Sequence, residues 1–294
     1  MDLRVLRFCE AIARLGSFTR AAEEIHIAQP ALSMAIAKLE DELGVPLFFR
    51  FPRGVTPTPE GVLLLARAAR IFEEVDSARR EIRDASDLRT GSVRVGFPPM
   101  YGLHYFPKLL MDFRTRYPGI EISAEEGSAT AIRERLDAHA IDIGMLESRR
   151  VDRSWNSVLV GSDEMVLGIA AGHPLARRKT VPAQALDGLP MVVLTPNFLQ
   201  RQLFDRLCDE HRVQYRKVME CNFVQMTILA AVEGHGGATL LRSLVRQHPG
   251  LAALSFEPVQ QFSFELCWRK DRYFSKANQA FVEFARAHHS SEAG

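Results

Sequence analysis

Residues 16–43 read GSFTRAAEEIHIAQPALSMAIAKLEDEL, a pattern of two short amphipathic helices that follow an earlier one. The earlier helix has apolar residues at helical spacing: Leu3, Leu6, Cys9, Ile12 and Ala13. Gly16 ends it, because glycine adopts the left-handed conformation that closes a helix at little cost. Ser17 is a good N-cap for the second helix. The inner face of that second helix consists of Phe18, Ala21, Ala22 and Ile25.

After a turn at residues 26–27, Gln29 and Pro30 open a third helix, since a first turn has no partner for the N–H that proline lacks. Its predicted buried face is Leu32, Ile36, Leu39 and Leu43. Its predicted exposed face is Gln29, Ser33, Met34 and Lys38. A helix, a short turn and a polar second helix form the motif that places a recognition helix in the major groove of DNA. There Gln29 can pair with adenine, and Ser33 can contact a base edge or phosphate. The alternative is a plain three-helix bundle with a solvated polar face.

A hairpin is predicted directly after the third helix. Residues 44–51 (GVPLFFRF) and 54–56 (GVT) have the composition of two short strands, with a turn at residues 52–54. Such a wing places Arg50 and Arg53 where they can contact phosphate. The hairpin therefore favours DNA binding over the plain bundle.

An ordered series of residues resembles the signature of the LysR family of bacterial transcriptional regulators. It comprises 16–22 (GSFTRAA), 29–33 (QPALS), 39–44 (LEDELG), Leu47, Phe48, Arg50, Arg53, Gly54, Thr58 and Gly61. The resemblance implies a winged helix-turn-helix over residues 1–58. The DNA-contacting residues that it implies are Gln29, Pro30, Ser33, Met34, Lys38, Arg50 and Arg53.

Two positions depart from that signature. Ala28 stands where a serine usually caps the recognition helix, a contribution of about 1 kcal/mol. Met34 stands where a polar or basic residue is common, so it offers apolar contact, for example to a thymine methyl. Residues 1–58 contain seven basic and seven acidic side chains, so the DNA-binding prediction depends on where charges lie and not on net charge.

A long helix is predicted from Pro59 to residue 88. Thr58 and Pro59 mark its start, because a capping residue followed by proline is typical of a helix N-terminus. Its apolar stripe is Val62, Leu65, Ala69, Phe72, Val75, Ala78 and Ile82. At 1.5 Å per residue such a helix reaches about 40 Å, too long for a sixty-residue domain to cover. An antiparallel helix from a second subunit is the expected partner, as in the family, and the alternative is packing on the C-terminal part of the same chain. Residues 89–91 are the expected hinge.

Strand patterns alternate with helix patterns from residue 92, which indicates parallel β-α-β units. The predicted strands are 92–96, 120–124, 141–145, 165–169, 191–194 and 264–268. The predicted helices are 103–117, 132–139, 199–211, 225–233 and 276–289. The resemblance implies a two-lobed α/β effector domain related to periplasmic solute-binding proteins. Lobe I is expected at 92–161 and 266–294, and lobe II at 162–265.

Ligands of parallel sheets collect at the C-terminal ends of the strands, which here means a cleft between lobes. The resemblance also implies which residues contact the effector, when the positions of the family's pocket are transferred to this sequence. They are Phe97, Pro99, Met100, Tyr101, Ser128, Ala129, Thr130, Thr195, Asn197, Phe198, Phe223 and His235. Family members often have serine and threonine where this chain has Pro98 and Met100, and those hydroxyls commonly help to bind an anionic effector. Their replacement favours a small organic effector with substantial apolar or aromatic surface, and a carboxylate stays the other candidate. The alternative is that Phe97 and Met100 are core residues under a smaller cleft.

Composition sets the remaining expectations. The chain has no run of about 18 apolar residues and no signal-peptide pattern, so we expect a cytoplasmic protein without a membrane contact. Its four cysteines are scattered, and no metal, cofactor or enzymatic motif is recognised. The alternative within the family is a redox regulator that pairs Cys208 with Cys221. The expected partners are double-stranded DNA with an interrupted palindrome, a second copy or a dimer of dimers, and RNA polymerase.

Overall fold

Three helices build the N-terminal core in the computed structural model, which describes residues 1–52, 54–84 and 91–292. They are α1 (Leu3–Leu15), α2 (Phe18–Glu24) and α3 (Gln29–Leu43). Gly16 ends α1 with φ 63°, and the Ser17 hydroxyl accepts a hydrogen bond from Arg20 N, as predicted. The predicted burial of Leu43 is wrong: it is 41% exposed, because the chain turns away directly after it and Leu47 lies in the core instead.

The predicted hairpin is confirmed as β1 (Phe48–Phe51) and β2 (Gly54–Pro57), which pair antiparallel. Glu40 on α3 attaches it to the helices, since its Oε1 accepts hydrogen bonds from Leu47 N (2.7 Å) and Phe48 N (3.3 Å). The Phe48 ring packs edge-on against Phe18 with 6.1 Å between centroids. Arg53 lies outside the described residues. The base of the wing is therefore fixed to the helical core.

Helix α4 (Pro59–Asp84) begins at Thr58, whose hydroxyl accepts a hydrogen bond from Gly61 N at 3.0 Å. One side of α4 packs on α1, where Ala68 and Phe72 meet Leu6 in a buried cluster. Val62, Ala69, Ala78 and Ile82 of the predicted stripe are exposed in the single chain, which is compatible with the predicted cover by a second subunit, whereas Phe72 packs on α1. The predicted positions advance about 3.3 residues per step against 3.6 per turn, so they wind around the helix and do not stay on one face. The predicted end of this helix and most of the hinge fall at residues 85–90, outside the described residues.

The rest of the chain forms a second compact unit, Arg83–Gly294, distinct from the first, Met1–Ile82. Its first half contains β3 (Gly91–Phe97), α5 (Pro99–Arg116), β4 (Ile120–Glu126), α6 (Ala129–Asp137), β5 (Ile143–Glu147) and β6 (Trp155–Ala170). Its second half contains β7 (Thr180–Pro182), β8 (Pro190–Leu194), α7 (Leu199–His211), β9 (Arg216–Cys221), α8 (Val224–Val232), β10 (Ala238–Leu241), α9 (Arg242–Arg246), β11 (Leu251–Arg269) and α10 (Lys276–Glu292).

Seven strands of the described chain form one sheet in the order β10-β6-β11-β5-β3-β4, with β7 paired in parallel to β11. Strands β4 and β5 pair in parallel with β3, which confirms the first predicted β-α-β set. The second set is only partly parallel: β8 pairs in parallel with β9, whereas β6 pairs antiparallel with β10 and β11. The result is a two-lobed α/β domain in which β6 and β11 run through the shared sheet.

Several element boundaries differ from the prediction. Strands β6 and β11 have 16 and 19 residues, although the patterns predict only their segments 165–169 and 264–268. Polar residues and register shifts interrupt their apolar alternation, which hides their length in the sequence. Helices α5 and α6 begin at Pro99 and Ala129 rather than at residues 103 and 132, and β5 occupies Ile143–Glu147 rather than 141–145. The strands β7, β9 and β10 are not predicted at all.

Replacing Glu40 by alanine is expected to loosen the wing. The carboxylate accepts two main-chain N–H groups, and hydrogen bonds to a charged group contribute about 1.5–3 kcal/mol. Hydrogen exchange of peptides that cover residues 47–51 should accelerate accordingly in Glu40→Ala. Asp41→Ala is the matched control, because Asp41 is exposed and makes no hydrogen bond in the described structure. Equal acceleration in both variants would show that Glu40 does not hold the wing.

Candidate nucleic-acid interface and ligand pockets

A tight turn sets α3 against α2. It is closed by hydrogen bonds from Ile25 N to Ala21 O (3.1 Å) and from Ile27 N to Ala22 O (3.0 Å). Ala28 occupies the N-cap position of α3 and provides no side-chain cap, as the sequence predicts. Pro30 has no N–H, and Ala31 N and Leu32 N donate to Ala28 O at 2.9 Å and 3.1 Å, so the N–H of Gln29 is the one in this turn that is left for solvent or an external acceptor.

The outer face of α3 carries the predicted contact residues. Gln29, Pro30, Met34 and Lys38 are exposed, and Ser33 is half-buried. The Gln29 amide donates a hydrogen bond from Nε2 to the Ser33 hydroxyl at 2.8 Å. This bond orients the amide and leaves its Oε1 and its second N–H hydrogen available, which are the two groups that a bidentate pair with adenine requires.

The wing presents one cation and two rings. The Arg50 guanidinium lies 4.5 Å from the centroid of the Phe18 ring, which holds it beside the helical core. Phe49 and Phe51 are 48% and 57% exposed, and their ring centroids are 6.2 Å apart. These two phenylalanines are not among the predicted contact residues, although their alternation with the buried Phe48 places them on the outer side of β1.

The first predicted effector segment lies largely in the core. Phe97 is 6% exposed and stacks on Phe106 with 4.1 Å between ring centroids. Pro99 opens α5, and Met100 and Tyr101 in its first turn are 1% and 6% exposed. The segment predicted as a loop is thus the start of a helix. Its side chains pack inward, which agrees with the alternative that Phe97 and Met100 are core residues.

The predicted effector residues Ser128, Ala129 and Thr130 lie at a small cavity. Ser128 caps α6, with its hydroxyl accepting from Ala131 N at 3.2 Å. Ala129 and Thr130 line a cavity of about 120 Å³ together with Arg133, Leu146 and Arg150.

A chain of hydrogen bonds connects this cavity with the segment at Thr195. Arg150 donates to Gln202 Oε1 at 2.8 Å, and Gln202 donates to Pro196 O at 2.8 Å. Thr195 in turn donates from its hydroxyl to Asn197 Oδ1 at 2.5 Å. The structure therefore brings the predicted residues at 128–130 and 195–197 toward one place, where Arg133, Arg150 and Gln202 also lie, although they are not among the predicted residues.

The remaining predicted positions lie elsewhere. Phe198 is half-buried just before α7, Phe223 is 61% exposed just before α8, and His235 is exposed in the turn that follows α8. None of the three lines the cavities described here. Their effector-binding role stays a prediction.

A larger cavity of about 490 Å³ lies in the second unit. Two of the predicted effector residues, Met100 and Tyr101, line it. Its other lining residues include Tyr105, Met145, Asp163, Glu164, Arg242 and Arg246. Sequence reasoning could not find this group, because its members come from segments that lie far apart along the chain.

The cysteines are free thiols. Cys208 is buried in α7, and burial raises its pKa to about 12. Cys221 is half-buried at the end of β9. Because the thiolate is the reactive form, a thiol with so high a pKa is a poor peroxide sensor.

Family comparisons agree with this arrangement. The family model "Bacterial regulatory helix-turn-helix protein, lysR family" matches residues 3–62, and the model "LysR substrate binding domain" matches residues 86–290. The chain belongs to the LysR family of DNA-binding transcriptional regulators with an effector-binding domain. An uncharacterized HTH-type transcriptional regulator of Bacillus subtilis, YcgK, is 29% identical over 97% of this chain and 94% of its own length. A probable RuBisCO transcriptional regulator of Trichormus variabilis is 27% identical over 95% of this chain and 86% of its own.

Solved structures share the whole fold. Full-length CbnR in complex with its target DNA superposes with a TM-score of 0.75 at 20% identity, over 98% of this chain and 99% of that one. A full-length variant of OxyR from Pseudomonas aeruginosa superposes with a TM-score of 0.73 at 23% identity, over 97% of this chain and 95% of that one. Among the described residues, no helix combines the length and apolar character needed to cross a membrane.

Proposed function

We propose that this chain recognises an operator in double-stranded DNA through α3 and the β1–β2 wing, and that a small organic effector controls how it does so. The observation that carries the proposal is Gln29, which is exposed in the first turn of α3 with its amide oriented by Ser33 at 2.8 Å. RNA polymerase is the proposed further partner, as expected for a regulator of transcription.

Each proposed DNA contact has a distinct role. Gln29 reads a base in the major groove, and Ser33 both orients it and faces the same groove. The exposed Met34 packs on an apolar base edge, while Pro30 fixes the start of the helix. The cations Lys38, Arg50 and Arg53 contact phosphates.

Gln29→Ala is expected to weaken binding to the selected operator by about 1–3 kcal/mol and to leave nonspecific DNA binding unchanged, because base contacts carry specificity. Gel-shift titrations with the operator and with a scrambled duplex measure both. Equal losses on the two duplexes would refute the base-reading role.

The contrasting variant is Arg53→Ala. A phosphate contact contributes to every sequence, so its loss should weaken both duplexes alike and reduce the salt dependence of binding. It serves as the positive control for a nonspecific effect.

Self-association is the second part of the proposal. Val62, Ala66 and Ala69 are exposed on the side of α4 that faces away from α1. A second copy of α4 is the proposed cover for this apolar face. A two-fold dimer then presents two recognition helices to an interrupted palindrome.

Val62→Glu should weaken the dimer by about tenfold or more, because burial of a valine contributes about 1.5–3 kcal/mol and a buried charge opposes association. Sedimentation equilibrium measures the dissociation constant. Arg67→Glu introduces the same residue outside the patch and should have little effect. An unchanged dissociation constant in Val62→Glu would mean that this face does not form the dimer.

The proposed effector cleft lies between the start of α6 and the segment 195–197. Arg133 and Arg150 give its small cavity a cationic wall, while the helix start at Ser128 and the hydroxyl of Thr130 provide polar contacts. Such a wall favours a carboxylate effector. His235 and Phe223 belong to this proposal only if the cleft rearranges around the ligand.

Thr130→Val keeps the shape of the side chain and removes the hydroxyl. We expect the best-stabilising acid in a panel of aromatic and aliphatic carboxylates to bind this variant about threefold to tenfold more weakly, as for the loss of one hydrogen bond. Thermal-shift titrations measure the affinities. Thr115→Val on the exposed side of α5 is the control, and equal affinity for both variants would place the effector elsewhere.

A further inference from the structure

The 490 Å³ cavity is separate from the proposed effector cleft. It is walled by α5, β5, β6, β10, α9 and β11, and none of its lining residues comes from the cleft segments 128–130 or 195–198. Its volume lies in the range of about 300–1,000 Å³ that is typical of small-molecule sites. The fold thus contains a second concave site, which includes two of the predicted effector residues, Met100 and Tyr101, but none of those at the proposed cleft.

One wall of this cavity is apolar and partly aromatic. The ring of Tyr101 lies 4.0 Å, centroid to centroid, from that of Phe264. Met100 and Met145 are each 1% exposed and also line the cavity. Thioether and aromatic side chains adapt well to a flat ring, so this wall suits a ligand with an aromatic body.

A buried hydroxyl without a partner lies in the same wall. Tyr101 is 6% exposed, and its hydroxyl makes no hydrogen bond within the described residues. Burial raises the pKa of Tyr101 well above its ordinary value, and the carboxylates of Asp163 and Glu147 add to the effect, so the hydroxyl stays protonated. Since buried polar groups are normally hydrogen-bonded, an unpaired one in a cavity wall indicates a polar atom of a ligand.

The charged side chains that line the cavity are two carboxylates, Asp163 and Glu164, and two guanidinium groups, Arg242 and Arg246. Glu164 is paired with Arg242 at 2.7 Å, and Arg242 also donates to Ser255. Asp163 accepts hydrogen bonds from the hydroxyl and the main-chain N–H of Ser243. Arg246 is exposed and forms no hydrogen bond or ion pair with any described residue. Its guanidinium is therefore available to a carboxylate.

We propose that this cavity is a second ligand site that binds a small hydroxylated aromatic carboxylate. The carboxylate pairs with Arg246, the ring packs on Met145 and Phe264, and the ligand hydroxyl meets the hydroxyl of Tyr101. The walls come from segments on both sides of the predicted lobe boundary at residue 161, so such a ligand holds the two lobes together. This proposal does not depend on the cleft or on the identity of the effector there.

The test uses 3-(4-hydroxyphenyl)propionate with the full-length protein in isothermal titration calorimetry. Its uncharged analogue, 3-(4-hydroxyphenyl)propan-1-ol, should bind at least tenfold more weakly, because it has no carboxylate for Arg246. Arg246→Gln should lower the affinity for the acid by a similar factor and leave that for the alcohol unchanged. Absence of acid binding at millimolar concentration, or equal affinity of acid and alcohol, would overturn the proposal.

Two further variants exclude trivial explanations. Tyr101→Phe removes an unpaired hydroxyl, so it should fold with an unchanged or higher Tm and yet bind the acid several-fold more weakly. A lower Tm, or unchanged acid binding, would count against a ligand contact. Thr115→Val, on the exposed side of α5, should bind the acid as the wild type does. If Thr130→Val loses acid binding and Arg246→Gln keeps it, the probe occupies the cleft; the second site is then refuted and the proposed effector cleft is supported.

Discussion

Main-chain pairing of β6 with β11 is the constraint on which the second unit depends. The ladder extends from Leu251 opposite Ala170 to Arg269 opposite Trp155. Strand β10 joins the other edge of β6, and β5 joins the other edge of β11, so both lobes are built on one pair of strands. Slippage of the register would move every side chain to the wrong face, so a change in lobe orientation has to bend this ladder. Its register shifts, where pairing is interrupted, are the points at which it bends most easily.

The constraint on the N-terminal unit is electrostatic, because residues 1–58 have no net positive charge with which to attract DNA. Precise placement takes the role that bulk charge has in other DNA-binding proteins. Glu40 fixes the base of the wing to α3, and Arg50 is held over the Phe18 ring. Ser33 orients Gln29 at the start of the same helix. The Glu40 carboxylate can therefore lie close to the recognition helix, because its Oε1 accepts hydrogen bonds from main-chain N–H groups of the wing.

The predictable parts of the molecule are those whose signals are local. Helix α7 has the predicted bounds, and α3 begins at the predicted Gln29, because caps, proline and helical spacing act over a few residues. Strand β9 is not predicted because it is exposed along almost its whole length, so its sequence does not alternate between apolar and polar residues. The same limit applies to the ligand sites. Gln29 follows from a motif, whereas the placement of Tyr101 and Arg246 around one cavity depends on how α5 and α9 pack against the sheet.

The two proposed ligand sites lie differently with respect to the lobes, and this decides what each ligand can do. In the cleft, Arg150 and Gln202 already bridge residues from the two predicted lobes, so a ligand there has to compete with or extend an existing contact. In the larger cavity, the Tyr101 hydroxyl and Arg246 lack partners within the described chain, so a ligand adds contacts without breaking any. A ligand shifts a conformational equilibrium only by its difference in affinity for the two states. If both ligands favour the same orientation of the lobes, each must therefore raise the affinity for the other by the same factor.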